Sequence, residues 1–160
     1  MRVWRLMKES YALSLDDAFA GEGARLFGGR WNQRGVSMAY SAATLSLALV
    51  EALAHADLED LPSDLVAASV VIPDHVSVVE MDQHRLPSNW RDIDPVPSET
   101  QRYGSHWCKE GTSLILVVPS VLIPSENNYL INPAHPDFSL LEDFRVEPFR
   151  IDPRLGLGFI

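Results

Sequence analysis

Between Thr44 and Ala56 the chain carries one charged residue, Glu51, in a run that is otherwise apolar or small. Leu45, Ala48, Leu49, Ala52, Leu53 and Ala56 recur at i, i+3, i+4, i+7, i+8 and i+11, the period of a helical face. Leu47, Val50, Ala54 and Leu58 occupy the opposite face, so the spacing predicts a buried helix over 44–58, apolar nearly all round. Thr44 or Ser41 supplies its N-cap. A buried carboxylate is costly unless it is paired or hydrogen-bonded, so Glu51 demands a reason. It either closes a structural ion pair or lies on an exposed edge, or it is held in a cleft to stabilise positive charge or orient a hydroxyl. The pattern alone leaves both open. His55, four residues on, shares its face and is a candidate partner.

The rest of the chain limits what can surround that helix. At 160 residues it fits one domain, since a domain averages roughly 150. Hydrophobic residues at 46% and charged residues at 22% exclude a disordered chain. Eleven prolines against nine glycines favour extended segments and turns over an all-helical bundle. One cysteine, Cys108, cannot form an intrachain disulfide. No apolar run approaches the ~18 residues of a membrane span, and no long apolar region follows the charges of Met1–Glu9, so no secretory signal is expected and the expected setting is cytoplasmic.

Strand signals dominate elsewhere. Val3–Leu6, Val36–Tyr40, Leu65–Ile72, Val76–Val79 and Ser113–Val118 read as strands, and Val121–Ile123, Tyr129–Ile131 and Phe144–Val146 as shorter ones. Residues 21–35, with five glycines and three arginines, read as a shaped loop. Residues 82–112 are proline-rich and polar and read as loops with at most a short helix. One or two helices among many β segments make an α+β domain.

Net charge is −9, with 13 Lys and Arg against 22 Asp and Glu, which argues against a long polyanionic partner such as nucleic acid. Residues 1–40 run the other way, with six basic residues against four acidic ones, and a local positive patch suits a small anion. In Gly28-Gly29-Arg30-Trp31-Asn32 the glycines permit close backbone approach, and Arg30 can grip a phosphate bidentately or simply be solvated on a tight turn. Neither nucleotide-loop template fits. Gly21-Glu-Gly23-Ala-Arg-Leu lacks a third glycine, and Gly29-Arg30 stands where a P-loop needs Lys-Ser/Thr. Ser120, after an apolar strand and Pro119, lacks a nucleophile elbow and reads as a hydrogen-bonding or turn residue. Five histidines and Cys108 form no metal-ligand motif, so no metal is expected.

Taken in order, these segments say more. Val3-Trp4-Arg5-Leu6, Gly21 to Arg25, Gly28 to Asn32, Tyr40, Ser46-Leu47-Ala48 with Glu51, Trp107, Val118-Pro119-Ser120, Pro124 to Asn132, His135-Pro136-Asp137-Phe138 and Asp152 to Leu155 follow one another as in the RES-domain family, which the chain resembles over nearly its whole length. The resemblance implies one RES domain over 1–155, with 156–160 a tail lacking an assigned role. It implies an ADP-ribosyltransferase-like split β core with flanking helices, built around an NAD+ cleft. It also implies a type II toxin, neutralised by an Xre-type antitoxin in an oligomeric complex. The implied activity is NAD+ depletion by hydrolysis or phosphorolysis of the nicotinamide–ribose bond. Carried over by position, Arg30, Tyr40, Glu51 and Ser120 form the site. On that reading Arg30 holds the pyrophosphate, Tyr40 stacks on nicotinamide, Glu51 stabilises the oxocarbenium-like state and Ser120 hydrogen-bonds. Two alternatives are an ADP-ribosyltransferase acting on a protein or itself, and a silent module that only binds its partner.

Overall fold

The β-branched segments assemble into one mixed sheet in the computed structural model, which describes residues 1–55 and 62–156. Its strands are β1 (Arg2–Lys8), β2 (Ala39–Ala42), β3 (Leu65–Val71), β4 (Val78–Glu80), β5 (Ile115–Pro119), β6 (Asn127–Ile131) and β7 (Glu142–Pro148). They lie in the order β4-β5-β6-β2-β1-β3-β7, and β4 with β5 is the parallel pair. β1 and β3 pair from Arg2 opposite Val71 to Lys8 opposite Leu65. β1 meets β2 at one pair only, Trp4 opposite Ala42. The sheet is therefore two well-paired blocks joined at a narrow seam.

Residues directly opposite one another point to the same side of a sheet, so the registers define two faces. Tyr40, Ala42, Leu116, Val118, Asn128 and Leu130 share one face. On it Leu116, Val118 and Leu130 pack with Trp31, Met38, Met81 and Trp107. Trp107 comes from helix α4 (Ser98–Glu110). On the same side Leu47 and Ala48 of helix α3 (Leu45–His55) pack on Ala42, Trp4 and Leu6, over the seam. Val3, Ala68, Val70, Ile115, Val117 and Ile131 form the opposite core. It is closed by Phe19 of helix α1 (Leu15–Phe19) and by Phe138 of a 3-10 turn, Pro136–Leu140.

Several expectations change. α3 is capped as expected, with Leu47 N–H donating to Thr44 Oγ1 at 3.1 Å, while Ser41 Oγ donates instead to the Tyr129 carbonyl. Yet of residues 45–54 only Leu47 and Ala48 are buried, and Val50 is 37% exposed. All-round burial fails because α3 is an outer layer: only its sheet-facing side is covered. Ala56–Leu58 of the expected helix lie outside the described residues.

Residues 21–35 are not all loop. Helix α2 (Glu22–Phe27) runs between Gly21 (φ 68°) and Gly28 (φ 74°), with Arg25 Nε donating to Glu22 Oε2 at 2.8 Å. The strand expected from Val36 begins at Ala39, because Asn32 Nδ2 holds the Val36 carbonyl (3.1 Å) inside the loop. Val121–Ile123 is a turn, its Leu122 and Ile123 amides donating to Ser120 Oγ rather than to a strand. Residues 82–112 contain α4, a thirteen-residue helix the reading underestimated. Its buried face is Thr100, Gly104, Ser105 and Trp107, too small and polar to register as an apolar stripe.

Candidate active site

The Glu51 side chain of α3 meets the C-terminal end of β5 and the N-terminal end of β6. Its Oε1 accepts from Ser120 Oγ at 2.8 Å and from Asn128 Nδ2 at 2.7 Å. Oε2 has no hydrogen-bond partner among the described residues. Ser120 follows β5 directly and is fully buried, whereas Glu51 is half-buried. The Ser120 hydroxyl is saturated: its proton goes to Glu51, and it accepts from the Leu122 and Ile123 amides at 3.2 and 3.1 Å. A hydroxyl so committed positions a carboxylate rather than attacking a substrate.

Asn128 is the member of this cluster to which the sequence reading gave no role. It lies opposite both Val118 and Ala42, with Leu130 two residues on along the same face. Period two from buried Leu130 was the available signal: a polar side chain on a core-facing position needs a buried partner. The expected pairing of His55 with Glu51 falls outside the described side chains.

Arg30 lies in the loop that follows Gly28 and Gly29. Its Nη1 donates to the Trp90 carbonyl at 2.5 Å and its Nη2 to the Asp92 carbonyl at 2.7 Å. Burial lowers the Arg30 pKa, and the neighbouring Tyr40, Asp92 and Glu51 work against that shift. Arg30 therefore lies within electrostatic reach of Glu51. Tyr40, on β2, locks the loop: its hydroxyl accepts from Trp31 N–H at 2.9 Å and donates to Asn32 Oδ1 at 2.8 Å. Burial pushes the Tyr40 phenol well above its ordinary range, so it stays a neutral hydroxyl. Gly29 is required by this contact, since a Cβ there would fall 2.7 Å from the Tyr40 oxygen and 2.9 Å from Asn32 Oδ1. Three of the four positions named from sequence thus surround Glu51 or brace its surroundings: Ser120 by direct bond, Arg30 through space, Tyr40 through the arginine loop.

Three of the six basic residues counted over 1–40 are diverted from the positive patch expected there. Arg2 is ion-paired with Asp143, and Arg25 with Glu22 at 2.5 Å. Arg5 lies on the opposite sheet face, donating to the Ala18 carbonyl at 2.7 Å over the Phe19 ring, its pKa lowered by burial to about 10. Arg30 lies within the field of Glu51. Strand alternation removes Arg5, and Asp143 and Glu22 neutralise Arg2 and Arg25. Among the described residues no three His, Cys, Asp or Glu side chains group as a metal site would need.

A split mixed sheet, a helix over its seam and one carboxylate held by a serine and an asparagine, within electrostatic reach of a guanidinium, define an α+β single-domain protein with a one-carboxylate site. The RES domain family model matches residues 2–152, and the chain belongs to the RES-domain family. It is 35% identical over 154 residues to the "Prs ADP-ribosylating toxin" of Sphingobium sp. (strain YBL2), covering 95% of this chain and 94% of that one. It is 36% identical over 156 residues to "Toxin Res" of Yersinia enterocolitica, covering 97% and 99% of the two chains. With "Toxin Res" of Photorhabdus laumondii it shares 37% over 158 residues, 97% of each chain. Among solved structures, the crystal structure of the M. tuberculosis MbcT-MbcA toxin-antitoxin complex matches in fold. The TM-score is 0.70 at 19% identity, covering 97% of this chain and 86% of that one.

Proposed function

We propose that this protein is a toxin that depletes NAD+ by cleaving its nicotinamide–ribose bond, and that an Xre-type antitoxin neutralises it. The observation that carries the reading is Glu51, with one oxygen fixed by Ser120 and Asn128 and the other unpartnered among the described residues. Cleavage of such a bond passes through an oxocarbenium-like state, which a fixed carboxylate stabilises. The C–N bonding pair leaves with nicotinamide, neutralising its ring nitrogen, so no general acid is needed. That is why one carboxylate suffices. Water or inorganic phosphate supplies the oxygen that bonds to the ribose carbon, and Oε2 is available to orient that acceptor or a ribose hydroxyl. Arg30 provides positive charge for the pyrophosphate, and the Tyr40 ring offers a surface against which nicotinamide stacks. The relatives named Toxin Res support the toxin half of the reading, and the fold shared with a toxin crystallised with its antitoxin supports a neutralising partner.

The test is NAD+ consumption by the purified chain with and without phosphate, with products identified. Glu51→Gln is expected to cut turnover by about 10²–10³ with the fold intact. Full turnover by Glu51→Gln rules the reading out. A second reading, transfer of ADP-ribose to a protein, is favoured by the name of the Sphingobium relative. Intact-mass measurement after incubation with NAD+ separates the two, because only transfer adds an ADP-ribose to a protein.

A further inference from the structure

Residues Trp90–Asp92 tie the arginine loop to the Ser120 turn. The Trp90 and Asp92 carbonyls hold the Arg30 guanidinium, while Arg91 Nε donates to the Val121 carbonyl at 3.0 Å. Val121 directly follows Ser120, the residue bonded to Glu51. Trp90 packs against the core of Trp31, Met81 and Trp107, which anchors this short strap. The Arg91 side chain thus arrives beside the Ser120 turn. Its Nη1 and Nη2 have no hydrogen-bond or ion-pair partner among the described residues, and the residue is exposed.

The commitments of Arg30 give that guanidinium a purpose. Arg30 is flanked by two negative groups that act on it, Asp92 and Glu51, and both its Nη atoms donate to backbone carbonyls. With both Nη atoms of Arg30 already donating to carbonyls, a phosphate gains from a second guanidinium close to the same loop. Arg91 adds donors in the planar fork that fits phosphate oxygens.

We propose that Arg91 is a phosphate-binding residue of the Glu51 site, acting beside Arg30 from the strap that joins the arginine loop to the Ser120 turn. This rests on the reading of that site as one that takes NAD+. Two sources supply phosphate oxygens there, the pyrophosphate of the dinucleotide and an inorganic phosphate acceptor.

Calorimetric titration of NAD+ into Glu51→Gln, with and without Arg91→Ala or Arg91→Lys, addresses the first source. Steady-state KM values for NAD+ and for phosphate in the Arg91 variants address both. Loss of a charge-assisted contact of this kind is expected to weaken binding about tenfold. Arg91→Lys should restore part of it, and Arg91→Ala should flatten the salt dependence of NAD+ binding, which a purely structural role would not change. A rise in Kd and KM for NAD+ assigns Arg91 to the pyrophosphate; a rise in KM for phosphate alone assigns it to the acceptor. Unchanged values for both ligands overturn the proposal while leaving the NAD+ reading intact. If Glu51→Gln and the native chain neither bind nor cleave NAD+, that reading falls and this proposal with it.

Discussion

Glu51 is held from two sides, and the two holders differ in what they contribute. Ser120 is itself fixed by two backbone amides, whereas Asn128 donates from a position within strand β6. Asn128→Ala removes a hydrogen bond to a charged group, worth about 1.5–3 kcal/mol when such a partner is lost. NAD+ turnover by this variant is expected to fall at least tenfold while its circular dichroism stays native. Asn128→Asp should fall further, because it replaces a donor to Oε1 with a second carboxylate that repels it. Native turnover in both variants would remove Asn128 from the site. Cys108 behaves oppositely. Its thiol faces the Ser37 carbonyl, and burial pushes its pKa from 9.0 up to about 11. At pH 8 alkylation of the folded chain is therefore expected to be at least tenfold slower than in urea, even allowing for the greater nucleophilicity of a high-pKa thiolate. By the same linkage, the protonated thiol's contribution to stability is complete below pH 9 and is lost as the pH rises through about 11.

At the scale of elements, α4 sets two rules against each other. Gly→Ala in a helix interior ordinarily gains about 1 kcal/mol from propensity. At Gly104 a Cβ would fall 2.0 Å from the Trp31 carbonyl oxygen and 3.0 Å from its carbonyl carbon, both backbone atoms. Overpacking of that kind costs about 1–3 kcal/mol or more, so the clash wins. Gly104→Ala is expected to lower Tm by several degrees, whereas an unchanged or higher Tm would show that α4 can move off the arginine loop. That loop also contacts α4 through Gln33 N–H to Ser105 Oγ (2.8 Å) and Gln101 Nε2 to the Gly29 carbonyl (2.9 Å). Gly104→Ala should therefore weaken NAD+ binding too. In α3 the Thr44 cap is worth about 1 kcal/mol, and Thr44→Ala should destabilise by that amount in a denaturant titration.

The whole molecule divides along its seam. β5 is buried over its length and paired on both sides, by β4 and β6, whereas β4 is an exposed edge and most of β7 is exposed on the other. Amide exchange is expected to be slowest in β5 and fastest in β4 and β7. β2, tied to β1 at one pair, should exchange faster than β6. Equal protection across β1, β2 and β6 would mean that the blocks open together. No helix among the described residues is long and apolar enough to cross a membrane.

The sequence by itself determined the α+β class, the strong buried strand after Ser113, the capped helix beginning at Thr44 and the oddity of Glu51. These follow from local periodicity, and from the rule that an unexplained charge in an apolar helix needs a partner. It left open why Glu51 was there, because Ser120 and Asn128 lie 69 and 77 residues away and only β5–β6 pairing against α3 brings them to one oxygen. It read α3 as buried all round, since periodicity counts apolar faces and not the layers available to cover them. It counted the arginines of residues 1–40 as one patch, although strand alternation sends Arg5 through to the far face and nearby acids neutralise Arg2 and Arg25. Composition sums charges along the chain, whereas electrostatics acts through space, so only the tertiary fold could decide which guanidinium comes within reach of the carboxylate.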